Sequence, residues 1–150
     1  YQSADLALID LGEYAQGLVQ QLWRSYSTGP GQVNLQLDLE SHRIGIDTAL
    51  SCGLILNELV ANALKHAFPN QRQGRVRVSL SAGTPGELIL AVADDGAGMP
   101  AAIDISTSTT LGLQMVAGLV AQINGTIMIE RQNGTTFRVA FPAGEQEALR

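Results

Sequence analysis

Several features that define other classes of protein are scarce in this chain. One cysteine, Cys52, excludes an internal disulfide, and no cysteine–histidine cluster has zinc-binding spacing. No apolar run reaches the ~20 residues that a membrane-spanning helix needs. Basic residues number only 9 against 14 acidic ones, and the net charge of -5 disfavours a nucleic-acid partner. We therefore expect a cytoplasmic domain without direct membrane contact, although a larger parent protein could be membrane-anchored.

The patterns of apolar residues in the 150-residue chain predict one globular α/β domain. Helical spacing predicts helices at 11–26, at about 48–67 with Asp47 or Thr48 as its cap, and at about 111–123. Alternating or continuously apolar segments predict strands at 33–39, 75–82, 87–94, 126–131 and 135–141. Two hairpins in this order favour a layered fold with a mixed sheet over a doubly wound parallel sheet.

The segment NELVANALKHAF places three polar residues on one face of the second helix. At about 100° per residue, Glu58, Asn62 and Lys65 lie within about 60° of one another. Such a line suits Mg-nucleotide, because an Asn oxygen can bind magnesium and an ammonium group can neutralise phosphate charge. An exposed polar surface would give the same pattern, so the spacing alone leaves both interpretations open.

The segment DDGAGMP, at 94–100, follows a predicted buried strand. Asp94 can accept a hydrogen bond from an exocyclic amine such as that of adenine. Gly96 and Gly98 allow the backbone to approach a flat ligand closely. An ordinary glycine-rich turn is the alternative, and neither a GxGxxG fingerprint nor a GxxxxGK[ST] phosphate loop is present.

Two further segments indicate a ligand less strongly. In STSTTLGLQMV, a hydroxyl-rich loop leads to Gly112 at the start of a helix, where free backbone amides favour anions. The hydroxyl groups could equally cap a core helix. In the hairpin NGTTFRVAFP, Thr135 is the residue that could face a ligand.

These four segments, in this order, resemble the ATPase family shared by histidine kinases, DNA gyrase, heat-shock chaperones and mismatch-repair proteins. NELVANALKH corresponds to the N box, DDGAG to the first glycine box and TLGL to the second. The resemblance implies a Bergerat-type fold, an α/β two-layer sandwich whose mixed, largely antiparallel sheet has helices on one face. It also implies ATP and Mg2+ as ligands.

The resemblance also implies a role for each motif residue. Asn62 corresponds to the magnesium ligand, Glu58 to the catalytic glutamate and Asp94 to the acceptor for the adenine amine. Further nucleotide contacts are implied for Lys65, His66, Gly96, Gly98, Met99, Thr110, Leu111, Gly112, Leu113 and Thr135.

Within that family, the opening segment and GLILNELVANALKHAFP are similar to sensor kinases with an H-x-VKNN-type phosphoacceptor box. This resemblance implies a linker from the dimerisation domain at 1–10 and a catalytic domain at 11–150. The box itself is absent from the chain, and His42 lies outside any such context. The expected acceptor is therefore a histidine on the kinase's dimerisation domain, with a response regulator downstream. The segment between the two glycine boxes corresponds to the lid of this family. It lacks a separate phenylalanine box, and Thr110 stands where many relatives have glycine.

Two other functions compete with this hypothesis. A serine kinase of the anti-sigma-factor type has the same ATP fold, but such proteins begin with the first strand and lack the opening segment. A non-catalytic nucleotide-binding module is the second alternative, and the presence of all the motif residues argues against it.

Overall fold

The computed structural model describes residues 7–26, 33–67, 74–96 and 111–144. Within these residues the chain forms three α-helices, namely α1 (Leu11–Tyr26), α2 (Ile46–Asn62) and α3 (Leu111–Gln122). A π-helical turn, Ala63–Ala67, continues α2. The seven strands are β1 (Leu8–Asp10), β2 (Val33–Leu39), β3 (Arg43–Gly45), β4 (Gly74–Ala82), β5 (Glu87–Asp94), β6 (Thr126–Glu130) and β7 (Thr135–Pro142).

Five strands form one mixed sheet in the order β2–β4–β5–β7–β6. β2 and β4 are parallel, whereas the other three neighbouring pairs are antiparallel. Alternate residues of β4 and β7 are buried in a core that the strands share with the helices. The predicted two-layer sandwich, with its largely antiparallel sheet and its helices on one face, is confirmed.

The core is densest along α2, the helix that carries the NELVAN segment. Its inward face has the buried side chains Ala49, Cys52, Ile55, Leu56, Leu59 and Val60. Each fully buried Val, Leu or Ile side chain contributes about 1.5–3 kcal/mol, so this face fixes α2 firmly on the sheet. Burial also raises the pKa of Cys52 to about 12, and its thiol therefore stays protonated at neutral pH.

A small second sheet, which the apolar patterns did not predict, lies at the start of α2. β1 pairs antiparallel with β3, and the Ile46 N–H donates to the Ala7 carbonyl over 3.0 Å. The prediction that Asp47 or Thr48 caps α2 is wrong, because α2 begins at Ile46 after Gly45 without a capping side chain. The Ala7 carbonyl satisfies this free N–H group in place of a side chain.

The end of the second helix also differs from the prediction. The chain is α-helical only to Asn62, and residues 63–67 form the π-helical turn. A π-helical turn is wider than an α-helical one, so a phase of about 100° per residue does not extend to Lys65. The predicted line of three polar residues is therefore reduced to Glu58 and Asn62, one α-helical turn apart, and Lys65 lies exposed on the π-helical turn.

Candidate functional site

One side of the candidate site lies where α2 meets α3. Glu58 and Asn62 are both half-buried in the last two turns of α2. Gly112, the second residue of α3, lies directly against the Glu58 carboxylate, since a β-carbon built at Gly112 would collide with Glu58 Oε2. The structure thus brings together two motifs that are far apart in the sequence, NELVAN and TLGL.

The start of α3 is held in place by the residue that follows Gly112. Leu113 is buried in the core, and α3 packs along α2. Leu113 therefore anchors the first turn of α3 while Gly112 allows the helix to approach Glu58. The N-terminal end of a helix carries a partial positive charge and free N–H groups, so this end of α3 attracts a carboxylate or a phosphate.

The other side of the site lies at the end of β5. The Asp94 carboxylate accepts a hydrogen bond from the Gly96 N–H over 3.0 Å, which begins a tight turn. Across the sheet, Asp94 is opposite Thr135 on β7, and Thr135 is buried with 4% of its surface exposed. Among the described residues, Thr135 is the buried one with a polar side chain, whereas the core around it is apolar.

Three residues that the sequence analysis did not select fix the backbone at Asp94. The Arg75 N–H donates to Asp95 Oδ1 over 2.7 Å, and the Asp95 N–H donates to the Arg75 carbonyl over 3.2 Å. Gly134 has φ of +109°, and an added β-carbon would collide with the Asp94 carbonyl. The sequence signal for Gly134 was its place at the start of the hairpin segment NGTTFRVAFP. Arg75 on β4 and Asp95, just after the end of β5, gave no such signal.

The two sides of the site are joined through the π-helical turn, which packs against β5. Ala63, the first residue of this turn, is buried in the core, and Leu64 packs partly against it. The turn that carries Lys65 therefore lies between Asn62 and the strand that ends in Asp94. A ligand that extends from the end of β5 to the junction of α2 with α3 would pass this turn.

The structure describes most of the predicted site residues. It places Glu58, Asn62, Gly112 and Leu113 at the helix junction, Lys65 on the π-helical turn, and Asp94, Gly96 and Thr135 at the end of β5. For His66 and Leu111 it describes the backbone but not the side chain. Gly98, Met99 and Thr110 lie outside the described residues.

Two further properties of the described residues bear on the type of site. No helix in this part of the chain is long and apolar enough to cross a membrane. Within the same residues, no three His, Cys, Asp or Glu side chains are grouped so as to hold a metal ion.

Comparison with known proteins identifies relatives of this chain. The profile of the family described as "Histidine kinase-, DNA gyrase B-, and HSP90-like ATPase" matches residues 47–145. The blue-light-activated histidine kinase 2 of Erythrobacter litoralis is 27% identical over 158 residues, which cover 99% of this chain and 45% of that protein. The sensor histidine kinase PdtaS of Mycobacterium tuberculosis is 34% identical over 107 residues, which cover 69% of this chain and 21% of that protein.

A solved structure agrees with these matches. The histidine kinase domain of the Erythrobacter litoralis EL346 blue-light-activated kinase superposes with a TM-score of 0.85 at 27% identity, covering 94% of this chain and 64% of that one. The chain spans less than half the length of each of the two full-length kinases named above. Because the family profile extends from α2 to the end of β7, over most of the residues described, this chain belongs to the histidine kinase-, DNA gyrase B- and HSP90-like ATPases.

Proposed function

We propose that this chain binds Mg-ATP and transfers the γ-phosphate to a histidine on a separate dimerisation domain in two-component signalling. The observation that carries the proposal is the contact of Gly112 with Glu58. This contact places the Glu58 carboxylate, the side-chain oxygen of Asn62 one turn away, and the N-terminal end of α3 close together. Such a combination suits the phosphate end of a magnesium nucleotide.

The adenine is proposed to lie at the end of β5. Asp94 would accept a hydrogen bond from the exocyclic amine, and the buried Thr135 opposite it would add a polar contact. Gly96 and Gly98 would let the backbone lie close to the base, with Met99 beside it. The contacts that hold Asp94 from β4 and from Gly134 support this role, because base recognition needs a carboxylate in a fixed position.

The phosphates are proposed to lie towards the helix junction. Lys65 and His66 on the π-helical turn would contact the phosphates and ribose, while Thr110, Leu111, Gly112 and Leu113 would shape the far end of the lid. Magnesium usually keeps several waters and takes one or two protein oxygens together with phosphate oxygens. The half-buried carboxamide of Asn62 fits this pattern as a single hard ligand.

The chemical step would be a phosphoryl transfer. A bond forms between an imidazole nitrogen and the γ-phosphorus while the bond from that phosphorus to the bridging oxygen breaks, and ADP leaves. Glu58 would orient the imidazole and accept its proton, and the other residues would act through positioning and charge neutralisation. The acceptor would be the dimerisation domain of the same kinase, with an H-x-VKNN-type box, and a response regulator would receive the phosphate next.

The proposal is tested by incubating the chain with γ-labelled ATP, magnesium and a dimerisation domain that carries a phosphoacceptor histidine. We expect label on the added domain that is lost in acid and stable in alkali, as phosphohistidine is. Glu58→Gln should slow the transfer by about 100-fold, the size of a general-base contribution, and leave ATP affinity nearly unchanged. Acid-stable label on a serine would instead favour the anti-sigma-factor type of kinase.

A further inference from the structure

Asp95 directly follows the strand that ends in Asp94, and it pairs with the neighbouring strand in an unusual way. The pairing of β4 with β5 puts Val76 opposite Asp94, so the next pair in this register is Arg75 with Asp95. In an antiparallel ladder, the two residues of a hydrogen-bonded pair exchange two bonds, each from the N–H of one residue to the carbonyl of the other. The pair of Arg75 with Asp95 departs from this pattern.

The two bonds of this pair use different kinds of acceptor. The Asp95 N–H donates to the Arg75 carbonyl over 3.2 Å, as a regular ladder requires. The Arg75 N–H donates instead to Asp95 Oδ1, over 2.7 Å. The Asp95 carboxylate therefore takes the place that the Asp95 carbonyl would have in a continuing strand. Because its carbonyl is not needed in the ladder, the backbone after Asp95 is released to turn out of the sheet.

On the side away from β4, the end of β5 is confined by the turn before β7. A β-carbon at Gly134 would collide with the Asp94 carbonyl and would lie 2.8 Å from the Asp95 α-carbon. The backbone at Asp95 thus has little room to move towards β7. The turn then closes at once, since the N–H of the buried Gly96 donates to Asp94 Oδ1 over 3.0 Å.

The place where β5 ends decides whether the Asp94 carboxylate is open to a ligand. Leu88, Leu90 and Val92 alternate along β5 and are buried in the core. Asp94 continues the same face of the strand but is only half-buried. A strand that continued past Asp94 would enclose its carboxylate as it encloses these apolar side chains.

We propose that Asp95 is a positioning residue, whose carboxylate ends β5 directly after Asp94 and so keeps the Asp94 carboxylate open to the amine of a nucleobase. This inference rests on the proposed function and adds the residue that positions the contact with the base. The role needs an acceptor oxygen rather than a charge, because Asp95 is exposed and the bond goes to a neutral backbone N–H. A carboxamide of the same shape offers that oxygen, whereas a methyl group does not.

The test compares the binding of ATP and of adenosine by calorimetry in variants of the 150-residue chain. Asp95→Ala should weaken the binding of both ligands about tenfold, the size of one lost hydrogen bond. Equal losses for the two ligands would place the effect at the base, since adenosine lacks phosphates. Asp95→Asn should restore the binding of both to within twofold of the wild type.

Asp10→Ala is the matched control, because it also removes a carboxylate that accepts from a backbone N–H, that of Glu13 over 3.2 Å at the start of α1. This variant should bind both ligands like the wild type. Wild-type affinity in Asp95→Ala would overturn the proposal. So would a loss in Asp95→Asn as large as that in Asp95→Ala, because the carboxamide would then fail to rescue.

Amide hydrogen exchange, followed by NMR in the chain without nucleotide, tests the strand end independently of any ligand. The Arg75 and Gly96 amides should exchange at least tenfold faster in Asp95→Ala than in the wild type or in Asp95→Asn. The amide of Val78, in the middle of β4, should be unchanged in all three. If Asp95→Ala folds poorly, Asp95→Glu replaces it, since its carboxylate lies one methylene too far from the backbone to stand in for a carbonyl.

Unchanged exchange at Arg75 and Gly96 in the variant would contradict the role of Asp95 in ending the strand. Faster exchange there, together with a wild type that binds neither ATP nor adenosine, would instead count against the proposed function alone.

Discussion

The two ends of the proposed nucleotide site are built by different kinds of structure. At the adenine end, Asp94 is fixed by backbone contacts, namely its pairing opposite Thr135 in the sheet and the close approach of Gly134. At the phosphate end, Glu58, Asn62 and Gly112 come from two helices that pack through side chains. Sheet register holds a position rigidly, whereas helix packing tolerates small shifts. In the proposed function, the rigid part would therefore read the base, and the chemistry would occur at the junction that can adjust.

The largest effect is expected at the rigid end. Asp94→Asn keeps the size of the side chain but replaces one acceptor oxygen with an NH2 group. That group would face the adenine amine, and both are hydrogen-bond donors. We expect ATP affinity to fall by about 100-fold, in line with an unsatisfied buried polar group that costs about 1–3 kcal/mol. Calorimetric titration of ATP measures this loss. Asp95→Asn is the control, because it keeps an oxygen for the Arg75 N–H, and an equal loss there would contradict the special role of Asp94.

A comparison of two glycines tests whether the backbone at Asp94 is as rigid as proposed. Gly134 and Gly86 both have positive φ, +109° and +81°, but an added β-carbon meets the Asp94 backbone only at Gly134. Gly86→Ala should cost about 1–2 kcal/mol of stability from backbone strain and leave ATP affinity unchanged. Gly134→Ala should destabilise more and weaken ATP binding about tenfold, equivalent to one hydrogen bond. Thermal unfolding measures the stability of both variants, and calorimetry measures their ATP affinity. Equal losses of stability and of affinity in the two variants would show that the Asp94 backbone can move away from the added β-carbon.

A second comparison of two glycines, at the junction of α2 with α3, should give a smaller effect on function. An added β-carbon at Gly112 meets the end of the flexible Glu58 side chain, whereas one at Gly118, on the same helix, meets nothing within 4 Å. Gly118→Ala should stabilise the chain by up to about 1 kcal/mol through helix propensity. Gly112→Ala should gain less and should slow phosphotransfer several-fold, because Glu58 is displaced. Equal transfer rates in the two variants would show that Glu58 does not need its place beside Gly112.

The smallest effect is expected far from both ends, at the start of α1. Asp10 caps this helix by accepting from the Glu13 N–H over 3.2 Å. Partial burial raises the pKa of Asp10, but hydrogen bonds from Ser41 and from the Glu13 and Gly12 backbone outweigh it and lower the pKa. Asp10→Ala should cost about 1 kcal/mol of stability at neutral pH, the typical value of an N-cap.

The pH dependence of this difference follows from the sign of the shift. Because the folded-state pKa of Asp10 lies below its unfolded value, the stabilising charge is fully present above the unfolded value and is lost as pH falls through the folded one. Denaturant unfolding between neutral and acid pH should therefore show the wild type and the variant converging. ATP affinity should be unchanged at neutral pH, and a loss of affinity would mean that the start of α1 affects the site.

The five strands of the main sheet could be predicted to within one residue at each end, because their apolar residues alternate or run continuously. β1 and β3 could not, since three residues are too short for a periodic pattern and their pairing joins distant segments. The prediction of the α2 cap failed for the same reason. The Ala7 carbonyl, which accepts from the Ile46 N–H, comes from another part of the chain.

The motif residues of the site could be chosen from the sequence, but their arrangement could not. The spacing of Glu58 and Asn62 fixes their relation within one helix, while the contact of Glu58 with Gly112 depends on how two helices pack. Asp95 and Gly134 were missed because their roles depend on sheet register. The π-helical turn was missed because a pattern of apolar residues does not distinguish it from an α-helix, and the position of Lys65 shifted accordingly.

The most direct test of the central claim, that one Mg-nucleotide extends from Asp94 to Asn62, is the magnesium dependence of ATP binding in the wild type and in Asn62→Ala. Calorimetry should show binding by the wild type that strengthens with magnesium, and no magnesium-dependent binding by Asn62→Ala. Adenosine, which lacks phosphates, should bind both proteins alike, because the adenine end is intact in each. Undiminished magnesium-dependent affinity in Asn62→Ala would contradict the assignment of the phosphate end.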